Sequence, residues 1–382
     1  MNLELTDEQS FLREAAREAL SRVKTVAAAR DALEDPTARP DLWPVAREAG
    51  WSGLLVSEQA GGAALSAFDA MLVMIEAGRV LAGVELLGHL PASSLLDAGG
   101  DERTAAVAEG ELRACFVAAA PPSDVHESWT VEPPAGSVRR PAPVLAGDGT
   151  LSGSIAWVAD VPGADLFVVA CTQAGDGAPA AVVVDSGEAR VRSAVRYDAT
   201  RALGHVTFDG AACTVVEGVA GAQLARAWYL AQALLAAESL GAVETALSMS
   251  VAYAKERFTF GRAIGSYQAV KHSLVEVLRL RENTYSLLLY AGWAYEDKPD
   301  EFALAASAAR SSAGRALDYA SRAMISVHGG IGATWEHDAP LFFRRAQLSR
   351  RLLGGAGDAT DRVAGELLGA VRGATTTGAE EA

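Results

Sequence analysis

Two separated runs of this chain carry residue types that could grip an anionic, planar ligand. The first is Tyr253-Ala-Lys-Glu-Arg-Phe-Thr-Phe-Gly-Arg-Ala-Ile-Gly-Ser-Tyr-Gln-Ala-Val-Lys-His272. In it Arg257 can fork onto a pyrophosphate, Phe260 offers an apolar wall and Gly261 permits a turn, before a new helix opens at Ser266 with Gln268 in its first turn. The second is Val327-His-Gly-Gly-Ile-Gly332, where Gly329, Gly330 and Gly332 let backbone N–H groups approach such a ligand closely. Metal chemistry is not indicated, because no second ligand stands at metal spacing from His328 or His337.

The elements that must hold these runs are long Ala/Leu-rich helices, from Ala222 to Lys255, Ser266 to Trp293 and Phe302 to Val327. Upstream, residues 114–217 change texture to short β-prone runs such as Leu166-Phe-Val-Val-Ala170 and Ala181-Val-Val-Val184, divided by Gly, Pro and Asp clusters. The first part is helical again. Thr6 is placed to cap a helix with Glu8 and Gln9 in its first turn, apolar residues recur at Phe11, Leu12, Ala15, Ala16 and Leu20, and a further helix spans Ala67 to Leu81. The segment 373–382 reads as a disordered tail.

At 382 residues the chain exceeds one core, so two or three subdomains are expected. A formal charge of −15 argues against nucleic acid or an anionic membrane surface as partner. Cys115, Cys171 and Cys213, odd in number and widely spaced, suit reduced packing thiols. The acidic N-terminus lacks an apolar signal core, and the longest apolar run, Leu224 to Val243, is interrupted by Arg226, Gln232 and Glu238, which points to a soluble cytoplasmic protein.

With Ala333-Thr-Trp-Glu-His-Asp338 following the glycine run, the two motifs resemble the C-terminal domain of the acyl-CoA dehydrogenase family. Leu5-Thr-Asp-Glu-Gln9 and Ala46-Arg-Glu-Ala-Gly-Trp-Ser-Gly-Leu-Leu55 with Gly61-Gly62 are similar to that family's N-terminal domain. Asp198-Ala-Thr-Arg-Ala-Leu203 with Val206-Thr-Phe-Asp209 is similar to the end of its β domain. The resemblance implies an α+β architecture: a helical domain over residues 1–112, a small central β domain over 113–218 and a C-terminal four-helix bundle over 219–372. It implies FAD shared across a subunit interface. Arg257, Thr259, Phe260, Gly261, Gln268, Gly329, Gly330 and Gly332 occupy the places that contact its adenosine-diphosphate half, and Ser326 stands where a glutamine is usual.

The reactive half departs from the family. A carboxylate must take the α-proton of the acyl-CoA thioester, and the two positions able to carry it read Leu353, within Leu352-Leu353-Gly354 after Arg345-Ala346, and Ala231. Gln232 replaces an arginine that helps hold CoA. Trp157 matches a tryptophan flanking the flavin, and a sheet-core role for it stays open; Ala159 replaces the hydroxyl that bonds flavin N5, and Ser154 a lysine. Phe116-Val-Ala-Ala-Ala-Pro-Pro122 replaces a Thr-Glu-Pro motif, and Val131-Glu-Pro-Pro-Ala-Gly-Ser137 reads as a loop. Glu238 and Glu244 read as interhelical or surface pairs.

The resemblance therefore implies a subunit without its own catalytic base. It completes the FAD site of a paralogous partner, which holds most of the acyl-CoA; an electron-transfer flavoprotein is the expected acceptor. Two alternatives stand beside it: a self-sufficient homotetramer using Glu238, Glu336 or Asp358, and a flavin-free structural protein on the same scaffold.

Overall fold

The computed structural model describes residues 4–119, 142–194 and 198–377. Helix α1 (Asp7–Ser21) begins at Thr6, whose hydroxyl accepts from the Gln9 N–H while the Gln9 side chain accepts from the Thr6 N–H, both at 3.2 Å. That reciprocal pair satisfies two amide donors that a bare helix end leaves exposed. Helices α2 (Thr25–Glu34), α3 (Trp43–Glu48), α4 (Ala67–Arg79), α5 (Leu86–Ala98) and α6 (Thr104–Ala108) complete the first, helical part.

The central sheet holds β1 (Ala114–Val117), β2 (Val144–Leu145), β3 (Thr150–Ala159), β4 (Leu166–Gln173), β5 (Pro179–Asp185), β6 (Ala189–Ser193), β7 (Leu203–Ala212) and β8 (Thr214–Val215). Its order is β6-β7-β3-β2-β4-β5-β8, with β1 parallel to β4. The unbroken apolar run of β4 has a two-sided cause. Leu166, Val168 and Ala170 enter the core shared with the helices, whereas Phe167, Val169 and Cys171 enter a separate core inside the β domain. Cys115 joins that second core, and burial raises both thiols, Cys171 to about 12, so these cysteines pack rather than react.

The C-terminal bundle is built from α7 (Gly221–Glu256), α8 (Gln268–Asp297), α9 (Pro299–His328), the short α10 (Ala339–Ser349) and α11 (Gly355–Thr377). Helix α8 starts at Gln268 rather than Ser266 because Ile264–Ser266 forms a tighter 3₁₀ turn. Helix α11 runs through Thr377, into the stretch expected to be a tail; residues 378–382 lie outside the described residues. Among the described residues α7 alone is long and apolar enough to cross a membrane, and 67% of that window is buried within the protein, as befits a central core helix.

Helices α4 and α7 cross where two glycines allow it. A Cβ at Gly78 would lie 1.8 Å from the Glu238 carbonyl oxygen, and one at Gly241 1.8 Å from that of Ile75. Both neighbours are backbone, so neither can move aside alone. Gly241→Ala is expected to destabilise the fold by about 3 kcal/mol, read as a lower Tm, while Gly175→Ala, which meets nothing within 4 Å, leaves the Tm unchanged.

Candidate functional site

Helix α7 ends because Arg257, at φ −80 and ψ 122, turns into extended backbone. A two-stranded hairpin follows, β9 (Phe258–Thr259) against β10 (Arg262–Ala263), and the Ile264 N–H donates to Arg257 O at 2.8 Å to close it. Its tip is Phe260 at φ 53 and Gly261 at φ 78. Two successive positive angles make the tight turn whose twist suits a hairpin, a conformation glycine adopts freely and phenylalanine does not. The strained ring is thrust outward, 92% exposed. The Tyr267 hydroxyl donates to Thr259 O at 3.1 Å, and Gln268 is exposed at the start of α8.

The second motif lies at the same end of the bundle. Tyr253, one turn before Arg257, packs on His328 with ring centroids 4.5 Å apart, and His328 packs on His337 at 4.1 Å. The chain leaves α9 through Gly329, at φ 65 and ψ −139, where only glycine sits without strain. Cβ atoms at Gly261, Gly329 or Gly330 would meet nothing within 4 Å, so all three border open space. Gly332 differs: a Cβ there would lie 2.8 Å from Ile325 O and from His328 Cβ, so internal packing demands that glycine. Both histidines cap or pack as their spacing suggests, His328 Nδ1 2.7 Å from Met324 O and His337 Nδ1 accepting from the Ala339 N–H at 3.0 Å. Among the described residues Arg257 makes no ion pair, and Glu276 is held by Arg279 at 2.6 Å. The packing of Tyr253 on His328 sets the guanidinium, ring and open glycines at one end of the bundle, groups able to hold a pyrophosphate and a flat base.

The two expected proton-acceptor positions converge. The Gln232 side-chain N–H donates to Leu353 O at 2.9 Å, which sets the Ala231 turn of α7 beside the Leu352–Gly355 turn. Ala231 is buried and Leu353 half-buried; neither can take a proton. Leu353, Gly354 and Gly355 lie at φ 51, 82 and 91. Of the other carboxylates considered, Glu238 is buried and bound by Arg201 and by Arg345 at 2.8 Å. Glu244 is likewise engaged, by Arg281, Arg79 and Arg13. Glu336 is exposed at the opposite end of α10 from Leu353, and the Thr334 hydroxyl holds its carboxyl below the usual range. Asp358 is the near one, since a Cβ at Gly354 would lie 3.3 Å from Asp358 Oδ2 and 3.4 Å from the Trp228 ring.

On β3, Trp157 stands at a register shift between Ile155 and Val158 with φ 63, edge-on to His205 at 4.1 Å. At 39% exposed it is not a sheet-core residue. Ala159 beside it supplies no hydroxyl, and the replaced motif at Pro121-Pro122 together with Val131–Ser137 lies outside the described residues. Of the six non-glycine residues at positive φ among those described, Trp157, Asp160, Phe260 and Leu353 all fall in these segments. Such strain gathers where ligands are held.

Beneath them lies a buried ionic knot that sequence reasoning did not find. Arg345 binds Asp198 at 2.9 Å and Glu238 at 2.8 Å, while Arg201 binds Glu238 and lies 3.9 Å from Asp160. Asp160 in turn accepts from the Gly88 N–H at 2.9 Å. Glu85, at the start of α5, is pushed up to about 7 by burial and then by the Asp160 carboxylate. The unfolded chain gives up that proton near 4.5, so stability is lost as pH rises from about 4.5 through 7. Glu85→Gln removes this cost: the variant should exceed the parent by ~3 kcal/mol at pH 8 and match it below pH 4.5, measured as Tm against pH.

Comparison with known proteins agrees with this fold. The profile of the acyl-CoA dehydrogenase N-terminal domain matches residues 6–107 and that of the C-terminal domain residues 224–366. Acyl-CoA dehydrogenase IpdE2 of Mycolicibacterium smegmatis is 29% identical over 353 residues, 92% of this chain and 96% of that protein. The Tcur3481-Tcur3483 steroid ACAD superposes with TM-score 0.82 at 27% identity, over 97% of this chain and 99% of that one. The ChsE4-ChsE5 complex from Mycobacterium tuberculosis shares the fold, with TM-score 0.81 at 22% identity over 96% and 99%. From the helix–sheet–bundle order to the paired motifs at the bundle's end, the chain belongs to the acyl-CoA dehydrogenase family.

Proposed function

We propose that this chain is the non-catalytic, half-site subunit of a heteromeric acyl-CoA dehydrogenase in the cytoplasm, completing the FAD site of a paralogous partner. The observation that carries this reading is the meeting of Ala231 and Leu353 at one place, with no acid at either, while the bundle end at Arg257 keeps its guanidinium, ring and open glycines. Bound FAD supplies the hydride acceptor for α,β-dehydrogenation of an acyl-CoA thioester. This chain's part is to bind and orient. Arg257 forks onto the pyrophosphate, Phe260 covers the adenosine side, and the amides around Gly329 and Gly330 face the diphosphate.

Distance supports the division. Ala231 and Arg257 lie on one continuous helix, and the rise between them is about 39 Å. An extended dinucleotide is shorter, so a flavin gripped at Arg257 has its reactive ring at another subunit. The partner then supplies the carboxylate, the isoalloxazine cradle and most of the CoA contacts. The likeness to a steroid ACAD and to a two-component complex supports a bulky, polycyclic acyl group and a paralogous partner; the acceptor that the family resemblance implies is an electron-transfer flavoprotein.

A second reading has one observation in its favour: Asp358 beside Gly354 could act as a relocated base in a self-sufficient homotetramer. One experiment separates the two. The chain is expressed alone and with candidate paralogues, and flavin absorbance, mass in solution and acyl-CoA-driven dye reduction are compared. Flavin and activity are expected only in the co-expressed complex. A lone chain that is yellow and bleaches with acyl-CoA would establish the homotetramer, and a complex whose flavin content ignores this chain would establish a flavin-free structural role.

A further inference from the structure

Arg310 on α9 is completely buried, and among the described residues no carboxylate pairs with it. One terminal nitrogen, Nη2, donates to the carbonyls of Ser349 and Leu352, at 3.2 Å for the latter, closing the end of α10. The other two nitrogens, Nε and Nη1, have no partner. Two hydroxyls close by are also buried and unpartnered: Ser307 Oγ, one turn earlier on the same helix face, and Ser349 Oγ, on the residue whose carbonyl Arg310 grips. The start of α11 closes over the group, since a Cβ at Gly314 would touch both Ala356 Cβ, at 2.7 Å, and Arg310 Nη1, at 3.3 Å.

Four donor atoms with nothing to donate to, around a buried unit positive charge, are an arrangement that folded proteins do not leave bare. A water molecule can accept from the donors but leaves the charge uncompensated, whereas an anion does both. We propose that Arg310, Ser307 and Ser349 form an internal binding site for one small monovalent anion of halide size. Bound there, the anion fixes the segment from Ser349 to Gly355 that carries Leu353, so its occupancy sets the rigidity of the turn facing α7.

Bromide is the probe. The Tm of the purified full-length chain is measured at constant ionic strength while sodium gluconate is replaced by sodium bromide. Each tenfold rise in bromide above half-saturation should raise the Tm by roughly 2 °C, and bromide-soaked crystals should show an anomalous peak at the Arg310 guanidinium. The Ser307→Ala/Ser349→Ala pair leaves the capping bonds of Arg310 intact. It should therefore fold, and should need at least about a hundredfold more bromide for the same shift, because two hydrogen bonds to a charged group are lost. Arg310→Met should abolish the halide dependence. A Tm indifferent to the identity of the anion, or a water-only peak beside Arg310, overturns the proposal.

Discussion

In a co-purified complex carrying Arg257→Ala, flavin is expected to be lost on dilution or gel filtration, and acyl-CoA-dependent dye reduction with it. A guanidinium forked onto a pyrophosphate makes two charge-assisted hydrogen bonds, each contributing ~1.5–3 kcal/mol, so affinity for the cofactor should fall by about 10²- to 10⁴-fold. Truncation should leave the fold intact, because Arg257 is exposed and makes no ion pair among the described residues. Arg257→Lys should recover only part of the loss, since an ammonium offers a point charge in place of a planar fork. Arg279→Ala, an exposed arginine paired with Glu276, is the control and should change nothing. Flavin absorbance per mole of complex is the measurement. Equal flavin in the Arg257→Ala and parent complexes would mean that this chain does not grip the cofactor.

Arg345→Ala should produce the largest loss of stability. The guanidinium is buried among Asp198, Glu238, Thr200 and the Leu81 carbonyl, so its removal strands the buried Asp198 carboxylate and leaves Glu238 to Arg201 alone, rather than deleting a neutral contact. Breaking a buried pair from one side costs ~3–5 kcal/mol. Residues from α4's exit, the loop before β7, α7 and α10 meet in this knot, so its loss should loosen all three parts of the chain together. The double change Arg345→Met/Asp198→Asn, which leaves Glu238 paired with Arg201, should recover much of the lost Tm. A single Arg345→Ala variant melting within about 2 °C of the parent would show that the knot contributes little.

Much of this architecture was legible because the periodicity of each segment survives local inspection. Thr6 with Gln9 announces α1, and the apolar run of β4 signals a strand wedged between two cores. The two positions where the family resemblance expects an acid read alanine and leucine, and the Gln232 contact with Leu353 sets their turns beside each other. What stayed hidden depends on distant pairing. Nothing local tells that Arg345 meets Glu238 and Asp198, more than a hundred residues away, or that Arg201 shares the same carboxylate. Backbone angles were hidden for the same reason. Leu353 and Phe260 hold left-handed conformations that their side chains do not request, imposed by the structure around them. Gly332 looked like its neighbours in the glycine run, yet only the folded chain reveals that its constraint comes from His328 and Ile325 rather than from open space.

The length of α7 gives the chain a kind of modularity. Ala231 stands about three turns into the rod and Arg257 at its far end, with helical turns between them packed in the core. A substitution at one end changes no contact at the other, so either region can change residue by residue while the other keeps its shape.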